Sequence, residues 1–265
     1  VEWRAALDFP VEVVARAAAR GVGVIALCDH DTAAGVAEAT AAGRALGVRV
    51  IPAVELTCYH RGHSVHLLGY GIDPEEPRLA ADLADRREYR RRLRERVIAR
   101  LRELGVDVAP ALPAGQAVGR PQVADALVGL GHCEDRQAAF RQYLGRRGTA
   151  YLEPVDAPCP LASIALLHAL GAVAVMAHPT SDRAFCLVPE LVAAGLDGLE
   201  AYHGKHTEGI TEAVLAEAVR HGLLVTGGTD NHGPAHEPDL GGIEVPEPVL
   251  VGLDRAMAQL GKVGR

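Results

Sequence analysis

Short apolar runs alternate with alanine-rich segments of helical spacing toward both ends of the chain. Residues 24–27 and 172–177 are continuous apolar runs, which is typical of strands buried on both faces of a sheet. Residues 11–20, 33–46 and 208–221 repeat Ala, Val or Leu at helical spacing, with Gly or Pro at their boundaries. Strands that alternate with helices predict an α/β protein with a mostly parallel sheet or barrel.

Further strand patterns complete this alternation. "VRVIP" predicts one strand, and "AVELTCY" and "SVHLLGYGI", on either side of "HRGH", predict a hairpin. Residues 196–203 predict a strand, "LLVTGGTDNHG" begins with another, and residues 248–260 predict a final helix.

The middle of the chain has a different pattern. Residues 73–105 form a long charged tract whose apolar residues keep helical spacing, and two shorter helical patterns follow it. We therefore predict a discontinuous barrel domain over 1–72 and 156–265, with a helical insertion over 73–155.

Composition and charge narrow the classes of protein. The 265 residues are 49% hydrophobic and carry a net charge of -7, which argues against a stable complex with nucleic acid. The five cysteines form no C-x-x-C pair and are typical of reduced thiols, so we expect a cytoplasmic protein. We find no signal peptide and no membrane-spanning segment, and we expect no membrane partner. The oligomeric state is not predicted.

Polar side chains follow the predicted strands at the point where each strand ends. In barrels and open α/β sheets this edge is where sites form, because the strand ends converge there. Imidazole and carboxylate without thiolate suit Mn, Fe or Zn, and a carboxylate that bridges two ions suits phosphoryl chemistry. The residues concerned are Asp29, His30, Asp31, Glu55, His178, Glu200, His203, Asp230 and His232, with His66 in the second hairpin arm.

Structural roles are the alternative for some of these residues. Asp31 or Thr32 is expected to cap the helix over 33–46, and Asp230 could simply begin a loop. The recurrence of such residues at five strand ends favours a shared metal site.

Five ordered motifs carry a resemblance to a known family. "CDHDT", "PAVELTC", "VHLLGYGID", "AVMAHP" and "GGTDNHG" resemble the motifs of the PHP (polymerase and histidinol phosphatase) family. "GRPQVADALV" and "FRQYLGRRGTAYLEP" are similar to the insertion of its bacterial subgroup that acts on nucleoside 3′,5′-bisphosphates and degrades short RNA from the 5′ end. The resemblance implies a distorted seven-stranded (βα) barrel with up to three divalent metals, manganese being the first expectation and iron or zinc the alternatives.

The resemblance also implies roles for individual residues. Glu55 is expected to bridge two ions, and it joins Asp230 and His232 as the expected catalytic groups. Apart from the resemblance, Lys205 and His206 follow a strand end and Arg120 begins a helix, so these three residues are expected to bind the phosphates of a nucleotide or short oligoribonucleotide. The implied metal ligands are His30, Glu55, His66, His178, Asp230 and His232.

The beginning of the chain departs from the family pattern. The first family strand ends in His-x-His, followed by a Ser-Asp-Gly turn, and these are expected at or before Val1 and near Ala5. "VEWRAALDFP" contains neither, and Glu2 and Asp8 are out of register. The first strand is therefore expected to be missing or altered. The chain is either a fragment or a protein that has lost this strand, and both explanations stay open.

The expected function is hydrolysis of phosphate monoesters or 5′-terminal phosphodiesters with the help of metal ions. Three alternatives remain: a histidinol-phosphate-type phosphatase, a non-catalytic metal- or nucleotide-binding protein, and a metal-dependent amidohydrolase. The insertion argues against the first, and metal binding without turnover would select the second. The Asp-x-His pair at 230–232 and the nearby basic residues favour phosphate over the third.

Overall fold

The computed structural model describes residues 9–112, 119–233 and 238–263. The described residues fall into two compact units. The larger unit contains residues 9–83, 158–233 and 238–263, and the smaller contains 84–112 and 119–157.

The larger unit is built on a curled mixed sheet of six strands, among the described residues. The strands are adjacent in chain order: β1 (Val24–Leu27), β2 (Arg49–His60), β3 (His63–Tyr70), β4 (Val173–Met176), β5 (Gly198–His203) and β6 (Leu224–Gly228). β1 pairs with β2 in parallel, β3 is antiparallel to both of its neighbours, and β4, β5 and β6 are parallel. The α/β class is thus confirmed, and the predicted seventh strand is not among the described residues.

The described residues also form α-helices before, between and after the strands. They are α1 (Pro10–Ala19), α2 (Val36–Leu46), α3 (Pro77–Glu103), α4 (Arg120–Gly129), α5 (Arg136–Ala139), α6 (Pro160–Ala169), α7 (Val188–Ala193), α8 (Glu208–His221) and α9 (Glu247–Val263). Among the described residues, no helix combines the length and the apolar character that a bilayer crossing requires.

Each unit has its own apolar core. Leu56 and Leu67, on neighbouring strands, are fully buried in the core of the larger unit, and Leu127 and Leu144 are buried in that of the smaller. The long helix α3 contributes to both cores: its early residues, such as Leu79, belong to the first, and its late residues to the second.

The strand β2 corrects one prediction. The predicted strands over 48–52 and 53–59 are a single strand, which continues through Pro52. Proline lacks an N–H group and usually weakens a ladder. Here Pro52 lies opposite Leu27, the last residue of β1, and its carbonyl accepts a hydrogen bond from Gly71 N at 2.8 Å. The proline is therefore tolerated within β2, because it lies where the pairing with β1 ends.

The start of α2 corrects a second prediction. The helix begins at Val36 instead of residue 33, and neither Asp31 nor Thr32 caps it, since Gly35 occupies the N-cap position. Asp31 is fully buried, and its Oδ1 accepts a hydrogen bond from the backbone N–H of Thr57 at 2.9 Å. Asp31 therefore ties the segment after β1 to β2.

Candidate active site

The centre of the site is the carboxylate of Glu55, which lies on β2 and is 5% exposed. His66 Nδ1 is 2.7 Å from its Oε1, and His178 Nε2 is 3.3 Å from the same oxygen. His30 Nδ1 is 3.6 Å from Oε2. Three imidazoles from different parts of the sheet therefore surround one buried carboxylate.

The β2–β3 hairpin places His66 beside Glu55. Its two-residue loop, Arg61 and Gly62, has φ angles of 49° and 75°, the positive values that a tight turn of the primed type needs. The resulting register pairs Thr57 with His66, two residues along from Glu55. Side chains two apart on a strand share a face, so Glu55 and His66 are diagonal neighbours.

Backbone bonds hold His30 beside the same carboxylate. Glu55 N donates to Asp29 O at 3.1 Å, and Asp31 N donates to Glu55 O at 2.8 Å. These two bonds form an isolated parallel bridge between His30 and Glu55 beyond the end of β1. The sequence "DHD" thus continues the strand pairing far enough to bring its histidine to the site.

Electrostatic contacts within this cluster shift the pKa values of Glu55 and His178 toward their charged forms. Burial acts to raise the pKa of Glu55, but His30, His66 and His178 outweigh it and hold that pKa well below its usual range. Burial likewise acts to lower the pKa of His178, but its contact with Glu55 prevails and raises the pKa to about 9. The carboxylate is therefore ionised at neutral pH.

The donor atoms fit a divalent metal ion. Ligand atoms of His30, Glu55 and His66 all lie within 4.8 Å of one another. Two ligands bonded to one ion at roughly 2.1 Å each are separated by at most about 4.2 Å, so short side-chain rotations suffice for coordination. Imidazole nitrogen with carboxylate oxygen is a donor set that suits Mn, Fe and Zn.

Asp230 forms a second group of contacts after β6. Its Oδ2 is 3.3 Å from Lys205 Nζ and 3.6 Å from His203 Nε2, and its Oδ1 is 3.5 Å from His232 Nδ1. Burial acts to raise the pKa of Asp230, but His203, His232 and Lys205 outweigh it and lower the pKa to about 2. Asp230 is therefore a second ionised carboxylate at the same edge of the sheet.

A row of imidazole rings joins the two groups. All six predicted ligands lie along this edge, together with His203 and His206. Adjacent ring centroids are 6.2 Å apart for His232 and His30, 5.0 Å for His30 and His66, 5.0 Å for His66 and His178, 5.7 Å for His178 and His203, and 5.1 Å for His203 and His206.

Two of the three predicted substrate residues lie at this edge. Lys205 stands beside Asp230, while His206 donates from Nδ1 to Ala201 O at 2.9 Å and its Nε2 is 3.4 Å from Thr180 Oγ1. Arg120 lies in the smaller unit, where it is the first residue of α4.

The sequence placed Glu200 and His203 among the strand-end residues that favour a shared metal site, but the six implied ligands do not include them. Glu200 is buried, and its Oε2 accepts a hydrogen bond from His178 N at 2.9 Å. Burial raises its pKa to about 7. The signal in the sequence was two polar residues inside the apolar strand "LDGLEAYH".

Comparison with known proteins identifies relatives that match most of the chain. The chain is 33% identical over 241 residues to a 5′-3′ exoribonuclease of Haemophilus influenzae, covering 88% of this chain and 87% of the relative. It is 34% identical over 242 residues to a 3′,5′-nucleoside bisphosphate phosphatase of Chromobacterium violaceum, covering 85% and 82%. It is 34% identical over 229 residues to a phosphoribosyl 1,2-cyclic phosphate 1,2-diphosphodiesterase of Eggerthella lenta, covering 84% and 87%.

Two solved structures share the fold of this chain. A Bifidobacterium adolescentis protein, provisionally named a metal-dependent phosphoesterase, matches with a TM-score of 0.79 and 32% identity over 94% of this chain and 91% of its own. An amidohydrolase from Chromobacterium violaceum with bound sulfate matches with a TM-score of 0.81 and 31% identity, covering 95% and 91%. No family model matches the sequence. The similarity to named relatives over most of the chain, together with the imidazole-carboxylate site, shows that this protein belongs to the PHP family of metal-dependent phosphoesterases.

Proposed function

We propose that this chain is a metal-dependent phosphohydrolase that releases phosphate from nucleoside 3′,5′-bisphosphates and shortens RNA from the 5′ end. The observation that carries the proposal is the buried Glu55 carboxylate with its three imidazole contacts. The relatives named exoribonuclease and bisphosphate phosphatase support the substrate class.

Six side chains are proposed to hold up to three divalent ions: His30, Glu55, His66, His178, Asp230 and His232. Glu55 would bridge two ions, one completed by His66 and His178 and the other by Asp230. Manganese is the first candidate, with iron and zinc as alternatives, because the donor set contains no thiolate.

When bound, the ions would neutralise charge on the phosphoryl oxygens and activate the attacking water. Glu55 contributes a carboxylate that its neighbours keep ionised, and Asp230 contributes a second. The Nδ1 of His232 donates to the backbone carbonyl of Asp230 at 2.6 Å, so a neutral His232 ring keeps its lone pair on Nε2. This tautomer supports a ligand role for His232 Nε2. Both ring nitrogens of His232 are then engaged, so the proton for the leaving alkoxide is proposed to come from water beside this ring, whose side chain is 37% exposed.

Three basic residues are proposed to bind substrate phosphates. Lys205 is the best supported of the three phosphate contacts, because its side chain is 60% exposed and its ammonium lies beside Asp230. His206 is proposed as a neighbouring contact. Arg120 is proposed to bind a phosphate together with the N-terminus of α4, where the helix dipole favours an anion.

The full fold is proposed to be the seven-stranded (βα) barrel of the family, with residues 73–155 as its helical insertion. Glu2 and Asp8, the acidic residues near the expected first strand, lie outside the described residues. A cytoplasmic location is proposed from the cysteine usage.

The test is a substrate panel on the manganese-loaded chain. Phosphate release would be measured from 3′-phosphoadenosine 5′-phosphate, histidinol phosphate and a ribose 1,2-cyclic phosphate, and shortening from a 5′-phosphorylated RNA pentamer. Glu55→Ala would be compared with Glu88→Ala, a matched change at an exposed carboxylate of α3. We expect turnover of the bisphosphate and the RNA by the wild type and Glu88→Ala, and none by Glu55→Ala. Turnover confined to another substrate, metal binding without turnover, or full activity in Glu55→Ala would each overturn the proposal.

A further inference from the structure

The strand β5 lies between β4 and β6 and carries none of the six proposed ligands. Both of its neighbours lead into one, His178 after β4 and Asp230 after β6. Nevertheless β5 buries two polar side chains, Glu200 and His203, each 5% exposed. Buried polar groups are costly unless they are paired, so each of these side chains needs a structural or functional reason.

A β-bulge turns both side chains to the same face. Residues three apart on a regular strand point to opposite faces. In β5 the register shifts between Glu200 and Tyr202: Glu200 pairs with Thr226, and His203 pairs with Gly228. Since 226 and 228 share a face of β6, Glu200 and His203 share one as well. Bulges of this kind re-aim side chains next to active sites.

Glu200 faces the backbone of His178. Its Oε2 accepts a hydrogen bond from His178 N at 2.9 Å. His178 has a φ angle of 28°, which a residue with a side chain adopts only when its surroundings hold it there. The Glu200 carboxylate is therefore placed to hold the backbone turn that points His178 Nε2 toward Glu55.

His203 faces the side chain of Asp230. The backbone N–H of Lys205 donates to His203 Nδ1 at 3.1 Å, within a turn closed by His206 N and His203 O at 2.9 Å. Because Nδ1 accepts this bond, the hydrogen of a neutral His203 ring is on Nε2, the atom 3.6 Å from Asp230 Oδ2. In this tautomer Nε2 has no lone pair for a metal ion and can only donate.

We propose that β5 is a positioning strand, in which Glu200 orients His178 through a hydrogen bond to its backbone N–H and His203 orients Asp230 through the 3.6 Å contact between Nε2 and Oδ2, although neither residue binds metal. The catalytic meaning of this arrangement rests on the proposed function. Groups that orient metal ligands typically contribute about 10- to 100-fold to metal affinity or activity.

The first test measures, in the metal-free protein, the histidine tautomers by ¹⁵N NMR and the hydrogen exchange of the His178 amide. We expect a pyridine-like Nδ1 and a pyrrole-like Nε2 for His203 in wild type, and slow hydrogen exchange at the amide of His178. The opposite tautomer would make His203 Nε2 a potential ligand and would overturn its positioning role. Fast exchange of the His178 amide would overturn the role of Glu200.

The second test compares removal with conservative replacement. Glu200→Ala should weaken manganese binding and lower kcat by about 10- to 100-fold, and Glu200→Gln, which keeps an acceptor oxygen, should recover most of both. His203→Leu should have a similar effect, and His203→Gln, which keeps a donor, should recover part of it. His221→Leu, at a histidine that pairs with Glu217 on α8, is the matched control and should change neither quantity.

Thermal unfolding of every variant separates positioning from folding. If folded Glu200→Ala and His203→Leu bind manganese and turn over substrate like wild type, the proposal is wrong. Equal losses in Glu200→Ala and Glu200→Gln would also contradict it, since the hydrogen bond would then not be the cause. If the tautomer and metal affinities behave as expected while wild type hydrolyses no phosphoester, the proposed function fails and the positioning roles stand.

Discussion

The two sides of the active site are built differently. On the Glu55 side, defined by Glu55, His66 and His178, the carboxylate and one histidine lie within paired strands, and the other histidine is the second residue after β4. On the Asp230 side, defined by Asp230, His232 and Lys205, all three residues follow strand ends. Strand register fixes the first side, so we infer that it is preformed, whereas the second depends on loop contacts.

Besides His203 on β5, the Asp230 side depends on side chains outside the sheet. Asn231 Oδ1 accepts a hydrogen bond from Gly233 N at 3.1 Å, and Asn231 Nδ2 is 3.4 Å from Asp239 Oδ1. Asp239 in turn pairs with Arg16 and Arg20 of α1. This side is therefore held by a series of polar side-chain contacts. Four substitutions test the difference between the two sides.

The largest effect is expected for His178→Ala. It removes the imidazole 3.3 Å from Glu55 Oε1, so kcat/KM should fall by about 10³-fold and manganese affinity should fall with it. Steady-state kinetics and metal analysis on the same sample would measure both. His168→Ala, at a helical histidine that bonds to Asp197 Oδ2 at 2.8 Å, is the control. Equal losses in the two variants would indicate general destabilisation instead.

Asp230→Asn should separate the two sides. It removes one anionic ligand and should lower kcat by about 10²- to 10³-fold. The Glu55 side makes its contacts independently, so we expect one tightly bound manganese ion to remain. Isothermal titration would count the sites. Loss of all metal binding would show that the two sides form one cooperative unit.

Lys205→Met should act mainly on substrate binding. The ammonium is largely exposed and is proposed to meet a phosphate, so KM for the bisphosphate should rise about tenfold while kcat changes little. Its removal also leaves Asp230 Oδ2 open to a metal ion, so manganese affinity at the Asp230 side should increase. A fall in kcat with unchanged KM would place Lys205 in the chemical step.

The smallest effect is expected for Arg16→Met. It weakens the contact with Asp239 that supports Asn231, next to Asp230. Ion pairs of this partly exposed kind contribute about 1 kcal/mol or less, so we expect at most about a fivefold loss of kcat. Metal binding on the Glu55 side should be unchanged. A larger loss of metal there would contradict the independence of the two sides.

Sequence patterns predicted the regular elements well where local signals were strong. The strand over 24–27 and the helix over 208–221 have the predicted bounds, because glycine follows the helix and an apolar run defines the strand. The start of α2 was wrong, because Asp31 bonds to β2, a tertiary contact that local capping rules do not include. The break predicted at Pro52 was wrong for a similar reason, since the register to β1 tolerates the proline there.

The candidate site was predictable as a set of residue types but not as a geometry. Strand ends bearing His, Asp and Glu indicated where a site would form. The role of Glu200 depends on a bulge in β5, and that of His203 depends on which of its ring nitrogens carries the hydrogen. Neither has a signature in residue spacing. The assigned roles of the six ligands and the bounds of the insertion stay predictions.

Manganese titration of wild type and Glu55→Gln tests the central claim most directly. The change keeps the size of the side chain but removes the charge that three histidines surround. We expect at least one tightly bound ion in wild type and none in folded Glu55→Gln, as measured by isothermal titration with elemental analysis. Equal binding by the two proteins would contradict the assignment of Glu55 as the centre of the metal site.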